Sequence, residues 1–317
     1  MLFSIIIPVY NRPNEVRELL DSLSKQNRKN FEIVIVDDGS EESSEPVVKE
    51  FNDRLDIKYY WKENTGAGLT RNYGAKRAEG EWLLFFDSDC IIPPDYFDKV
   101  EEFLEENPDV DFYGGPDRAT KDFNVLQRAI SYSMTSFFTT GGIRNREKNL
   151  SKYEPRSFNL GVKYDAYFDI GGFPKTRLGE DIIFSLRLYD AGYRARMIKD
   201  AFVYHKRRTN LKAFFKQVIN FGVGRINITT YFPDSLKMVH ALPSCFTVYS
   251  VGSVLIAPYT TWPLGLLLLW MAFIFSDSLI KNKKLSVAGL SIVTSFTQLF
   301  AYGLGFILGV LGRRSRI

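Results

Sequence analysis

Glu81-Trp82-Leu83-Leu84-Phe85-Phe86-Asp87-Ser88-Asp89 is an apolar run that ends on two carboxylates separated by one serine. An unbroken apolar stretch of this length reads as a β-strand buried on both faces, as in a parallel sheet covered by helices. The pattern recurs toward the N-terminus. Residues 3–9 run through Ile5, Ile6 and Ile7 to Pro8, and Phe31 to Val36 forms a second run closed by Asp37-Asp38-Gly39-Ser40. Between them Val16, Leu19, Leu20 and Leu23 fall at helical spacing over 14–25. A helix near 44–52, a short strand at 56–60 and a helix over 65–79 complete the approach to Glu81. This alternation predicts an α/β fold with a doubly wound, mostly parallel sheet. Ligands bind outside the carboxyl ends of strands in such sheets. Here those ends are Tyr10-Asn11, Asp37-Asp38-Gly39-Ser40 and Asp87-Ser88-Asp89, so one sheet edge is expected to be acidic and polar.

Beyond Asp89, Pro93-Pro94 precedes an acidic helix over 95–106 with Phe97, Val100 and Leu104 turned inward. Residues 110–175 are less regular and read as the acceptor-facing half. Glu180 to Leu188 reads as a helix with Ile182, Ile183, Leu186 and Leu188 as its apolar positions. The tail differs in kind. No Asp, Glu, Lys or Arg occurs from Met238 to Ser276, nor from Leu285 to Gly312. Pro258 and Pro263 split the first stretch into 241–257 and 262–276, each short of the ~20 residues a membrane span needs, while 285–312 is long enough to cross once. Two crossings, three crossings, or a flat interfacial helix in place of one all fit. Lys281, Lys283 and Lys284 at one end and Arg313, Arg314 and Arg316 at the other give the positive-inside rule no basis for choosing. The expectation is a catalytic domain over 1–225 and membrane-anchoring helices over 226–317, the domain facing the cytoplasm.

The bulk numbers narrow the class. A net charge of +4 is no nucleic-acid signature. The run His205-Lys206-Arg207-Arg208, with Lys212 and Lys216, suits anionic lipid headgroups. Two cysteines, Cys90 and Cys245, make no disulfide framework and fit a reducing compartment. The opening residues read as a first strand and not as a signal peptide. The tail lacks the ionisable residues of a transport path, which argues against a transporter.

Two carboxylates at a strand end can share a hard divalent cation, Mg²⁺ or Mn²⁺, bridging them to phosphates. Capped turns are the plain alternative. Asp37-Asp38-Gly39-Ser40 offers a carboxylate to a base N–H or to ribose hydroxyls, with the glycine freeing the turn. Asn64-Thr65-Gly66-Ala67-Gly68-Leu69-Thr70-Arg71-Asn72-Tyr73-Gly74 enters a helix, yet it is neither a dinucleotide-binding fingerprint nor a P-loop.

Taken in order, Pro8-Val9-Tyr10-Asn11, Val36-Asp37-Asp38-Gly39-Ser40, Asn64-Thr65-Gly66 with Arg71-Asn72-Tyr73-Gly74, Asp87-Ser88-Asp89 and Gly179-Glu180-Asp181 resemble the motifs of the GT-A-fold family 2 glycosyltransferases, over about residues 1–225. The resemblance implies a GT-A catalytic domain, Rossmann-like, followed by membrane-associated helices. It implies that Pro8, Tyr10, Asn11, Asp37, Asp38, Asn64, Gly66, Arg71, Asp87 and Ser88 serve the nucleotide-sugar donor. Asp89, with Asp87 and His205, would hold Mn²⁺ or Mg²⁺. Asp181 would be the general base on the acceptor hydroxyl, with Glu180 beside it, in an inverting displacement. UDP is the favoured nucleotide, and the expected acceptor is lipid-linked or a glycan. Gln217, Gly222, Gly224 and Arg225 resemble the amphipathic connector before the membrane helices of such enzymes. A polyprenyl-phosphate glycosyl synthase is the alternative enzyme, and a non-catalytic membrane scaffold the alternative class.

Overall fold

A computed structural model describes residues 1–118, 123–141, 153–206 and 208–314. Arg316 of the basic C-terminus and Arg207 of the basic run lie outside the described residues. By contact the chain divides into two compact units, residues 1–120 with 151–206, and residues 121–150 with 207–317.

The first unit opens with β1 (Phe3–Val9), α1 (Pro13–Ser24), β2 (Phe31–Asp37), α2 (Glu45–Lys49), β3 (Ile57–Trp61), α3 (Ala67–Ala75) and β4 (Trp82–Phe86). The short β5 (Cys90–Ile91), α4 (Tyr96–Glu106), β6 (Phe112–Gly114) and β7 (Asp117–Arg118) follow. Helices α5 (Val125–Thr135) and α6 (Phe137–Thr140) then leave for the second unit, and the chain returns with β8 (Asn159–Lys163), α7 (Tyr164–Asp169), α8 (Glu180–Asp190), β9 (Ala195–Met197) and β10 (Val203–His205). The main sheet has the order β3-β2-β1-β4-β8-β6-β9. Every neighbouring pair is parallel except the two made by β8. A small second sheet has the order β5-β10-β7.

Side-chain alternation along the strands builds two cores. Ile5, Ile7, Ile33, Ile35, Leu84 and Phe86 meet Leu19 and Leu20 of α1 and Phe97 and Val100 of α4 on one face. Ile6, Val34, Val36, Leu83 and Phe85 meet Ala75 of α3, Tyr167 of α7 and Phe184 of α8 on the other. Two-sided burial explains why these strands read as continuous apolar runs. The predicted helix over 44–52 is shorter, ending at Lys49, and turns carry the chain to Leu55.

The second unit continues with α9 (Leu211–Tyr231), α10 (Leu242–Ile256), α11 (Trp262–Asn282) and α12 (Leu285–Arg314). The boundary expected near 225 falls inside α9, and α5, from the stretch read as acceptor-facing, packs on α12. α12 is the hub, in contact with α5, α9, α10 and α11. The two prolines separate α10 from α11 as expected. α11 extends through Asp277 and Lys281 to Asn282. It and the 285–312 stretch of α12 are long and apolar enough to cross a membrane, whereas α10 is shorter.

Candidate functional site

The carboxyl ends of β1, β2 and β4 are adjacent, because β1 pairs in parallel with both β2 and β4. This brings Tyr10-Asn11, the Asp37–Ser40 turn and Asp87-Ser88-Asp89 to one edge. Pro8 is half-buried within β1, paired with Val36, and Tyr10 is exposed at its end. Asn11 has a positive φ of 53° and its side-chain oxygen accepts from the N–H groups of Glu41 and Glu42, at 2.8 and 3.2 Å. It thereby ties the end of β1 to the turn after β2.

Asp37 is fully buried. Its carboxylate accepts from the Ser40 N–H at 2.8 Å and from the Tyr59 hydroxyl at 2.7 Å, so it holds the turn shut. Asp38 gathers the next loop. It accepts from the N–H groups of Thr65 and Gly66, both at 2.9 Å, and from the Lys62 ammonium. Burial would raise the Asp38 pKa, but these bonds hold it below the ordinary carboxylate value. Gly66 then starts α3 with a φ of 92°, a conformation that favours glycine, and the stem of Arg177 lies 3.7 Å from where its Cβ would be. Asn64 is exposed in the same loop, and its N–H lies where a Cβ on Gly39 would clash, at 2.9 Å.

Arg71, on α3, joins the two acidic motifs. Its guanidinium is 3% exposed, donates to Asp87 at 2.7 Å and lies 3.7 Å from the Glu180 carboxylate. The Phe173 ring covers it at 5.3 Å. Its Nε and one terminal nitrogen are buried without a hydrogen-bond partner. Glu180 and Asp181 open α8. Burial, reinforced by the charge of Asp181, pushes the Glu180 carboxyl up to about 7 against the pull of Arg71. Asp181 accepts from Arg156 at 3.3 Å and from the N–H of Ile182 at 2.8 Å.

Asp89 lies under an arginine and a histidine. Arg12 donates to one carboxylate oxygen at 2.6 Å, and Nε2 of His205, at the end of β10, is 3.0 Å from the other. Burial alone would raise the Asp89 pKa; the bond and charge of His205, with the charge of Arg12, hold it well below the ordinary range. Phe158 stacks on the imidazole at 4.8 Å and fixes its plane. Ser88 is buried between the two aspartates. Ligand atoms of Asp89, His205 and Cys90 lie within 4.8 Å of one another. A carboxylate oxygen with an imidazole nitrogen is a donor set that a divalent cation such as Mn²⁺ accepts. Cys90 does not fit that role, because complete burial pushes its thiol pKa well up and keeps it protonated. Three cations in the site, Arg12, Lys62 and Arg156, escaped the motif reading. Adjacency to a motif was the only signal for two of them, as Arg12 follows Asn11 and Lys62 precedes Asn64 by two residues, and Arg156 adjoins no motif.

A family model described as glycosyl transferase family 2 matches residues 4–167, the stretch from β1 into α7. An uncharacterized glycosyltransferase of Haemophilus influenzae is 42% identical over 189 residues, which is 59% of this chain and 62% of that protein. The chain therefore matches less than two thirds of that relative's length. Among solved structures, the mannosyltransferase PcManGT from Pyrobaculum calidifontis, in complex with GDP-Man and Mn²⁺, superimposes with a TM-score of 0.69 at 17% identity, covering 98% of this chain and 87% of that one. S. aureus TarS 1-349, in complex with UDP-GlcNAc, gives a TM-score of 0.51 at 21% identity, over 98% and 92% of the two chains. At those identities the likeness speaks for the fold, which is GT-A. The family match runs over half of the chain and through the edge that carries Asp38, Arg71 and Asp89, and on that ground the chain belongs to glycosyl transferase family 2.

Proposed function

We propose that this protein transfers a sugar from a nucleotide-sugar donor to a hydroxyl of a lipid-linked or glycan acceptor, by single displacement with inversion, at the cytoplasmic face of a membrane. The observation that carries the reading is the buried Arg71 guanidinium set between Asp87 and Glu180, which brings the acidic strand end and the acidic helix start to one place. Relatives in fold hold GDP-Man with Mn²⁺ and UDP-GlcNAc, and UDP is the nucleotide favoured here.

In this reading the Asp38-held loop and the start of α3 receive the donor, and Asp89 with His205, and Asp87 beside them, hold a divalent cation. That cation, when bound, offsets the negative charge that develops on the departing nucleoside diphosphate. Asp181 takes the acceptor hydroxyl proton as the new bond forms to the anomeric carbon and the bond from that carbon to the diphosphate oxygen breaks. Arg156 holds the Asp181 carboxylate in a fixed orientation while leaving part of it open. Glu180, its carboxyl pushed up to about 7 by burial and the Asp181 charge, is only partly ionised near neutral pH and sits beside it without adding a second full negative charge. The two apolar helices α11 and α12 support an anchor in the bilayer, and a lipid-linked acceptor suits an anchored enzyme.

The test is nucleotide release from UDP-, GDP- and dTDP-sugars by the detergent-solubilised chain with Mn²⁺ or Mg²⁺, against Asp89→Ala and Asp181→Asn. Metal-dependent release from one donor, lost in Asp89→Ala, with acceptor transfer lost in Asp181→Asn, is the expected result. An Asp181→Asn variant that transfers at the wild-type rate would overturn the base assignment. Absence of nucleotide binding to any donor would bring the scaffold reading forward.

A further inference from the structure

Arg12 belongs to no motif, yet it makes the tightest charge contact at the proposed metal position. It is the residue preceding α1, whose first position is Pro13, and the helix start fixes where its side chain leaves the backbone. Its guanidinium donates to one Asp89 oxygen at 2.6 Å while His205 takes the other at 3.0 Å. Both carboxylate oxygens are thus engaged within the protein. The Arg12 side chain is 32% exposed and that of Asp89 is 11% exposed, so the arginine is the more open of the two. Beyond Asp89, the negative charges of Glu15 and Asp87 also act on it.

We infer that Arg12 competes with the divalent cation for Asp89 and changes partner when the donor binds, passing from the carboxylate to the donor's diphosphate. The inference rests on the metal reading of Asp89 and His205. Its physical basis is charge. A divalent cation added to Asp89 meets the arginine already there, and two like charges on one carboxylate repel. A diphosphate brought to the same edge offers the guanidinium a better, bidentate anionic partner and frees the carboxylate oxygen. Metal and nucleotide then bind with positive linkage, each raising the affinity for the other by the same factor. Arg12 is in this sense a positioning residue: it keeps the acidic edge neutralised until a nucleotide diphosphate arrives.

The test is Mn²⁺ binding, read as loss of the free-ion electron paramagnetic resonance signal. Wild type, Arg12→Gln, Arg12→Lys and Asp89→Asn are titrated with and without UDP or GDP, after thermal unfolding has shown each variant to be folded. Wild type is expected to bind Mn²⁺ weakly alone and at least about tenfold more tightly with nucleotide. Without nucleotide, Arg12→Gln is expected to bind Mn²⁺ about tenfold more tightly than wild type, the size of one charge-assisted hydrogen bond, and to show a smaller nucleotide effect. Arg12→Lys should fall between them. Mn²⁺ binding that is lost in Asp89→Asn but unchanged in Arg12→Gln, with the nucleotide effect intact, overturns the inference and leaves the metal reading standing. No Mn²⁺ binding by wild type or Arg12→Gln in any condition, or binding that survives Asp89→Asn, overturns both.

Discussion

Glu180 and Arg71 show how much of this edge is decided by single side chains. A carboxyl beside a guanidinium ordinarily loses its proton more readily, but at 3.7 Å Arg71 does not offset burial and the Asp181 charge. The folded pKa of about 7 lies above the ordinary 4.5, so the folded state binds a proton that the unfolded chain releases. The ionised form therefore costs folding stability, and the cost grows as pH rises from 4.5 to 7 and is complete above that. Glu180→Gln removes the titration. Its stability relative to wild type should rise across that window and level off beyond it, as read by thermal unfolding at a series of pH values. A difference that stays flat with pH would remove Glu180 as the titrating group. Arg71→Ala should be destabilising at every pH, by about 2 kcal/mol, because it leaves Asp87 and Glu180 without their shared cation and uncovers Phe173.

Some elements meet through glycine as well as through apolar side chains. A Cβ at Gly305 of α12 would lie 2.2 Å from the Ile219 carbonyl oxygen of α9, and one at Gly309 would meet Ile226 at 3.0 Å. The two helices thus touch backbone to backbone, the mode small residues allow. Gly289 of the same helix has nothing within 4 Å. Gly305→Ala should cost about 1–3 kcal/mol by forcing α9 away, whereas Gly289→Ala should be neutral or stabilising, both measured by thermal unfolding in detergent. Equal effects would mean that the close approach is not sustained. Such contacts explain what was legible beforehand. Strands such as Leu83–Phe86 declare themselves locally, because two-sided burial demands an unbroken apolar run. α5 does not. It falls in the stretch that reads as irregular, its Asn124–Gln127 capping box is seen only in the fold, and nothing local says that it joins the helical tail. The acidic motifs were legible as spacing at strand ends. Arg12, Lys62 and Arg156 were not, since a lone cation carries no periodicity and only the fold supplies its partner.

At the scale of the whole molecule, the α/β unit closes on cores that the sheet itself provides, while the helical unit leaves large apolar surfaces uncovered. On α11, Leu266, Leu268, Leu269 and Phe273 are each half or more exposed, and Tyr259 and Trp262 are exposed where α10 turns into α11. A soluble helix bundle rarely exposes so continuous an apolar face, whereas lipid covers it without cost. Aromatic residues at one end of α11 and Lys281, Lys283 and Lys284 at the other match the two interfaces of a span. Asp277 lies near the lysine end and is paired there, to Lys281 at 2.8 Å and the Tyr132 hydroxyl at 2.7 Å. If α11 crosses the bilayer, Leu268→Lys combined with Leu269→Lys places two charges near its middle, at about 3 kcal/mol each. Wild-type chain should then stay with membranes through alkaline carbonate extraction, and the double variant should be released or degraded. Wild type recovered in the soluble fraction would make α10, α11 and α12 a bundle whose exposed face is covered by something other than lipid. The lipid-linked acceptor would lose its support with it.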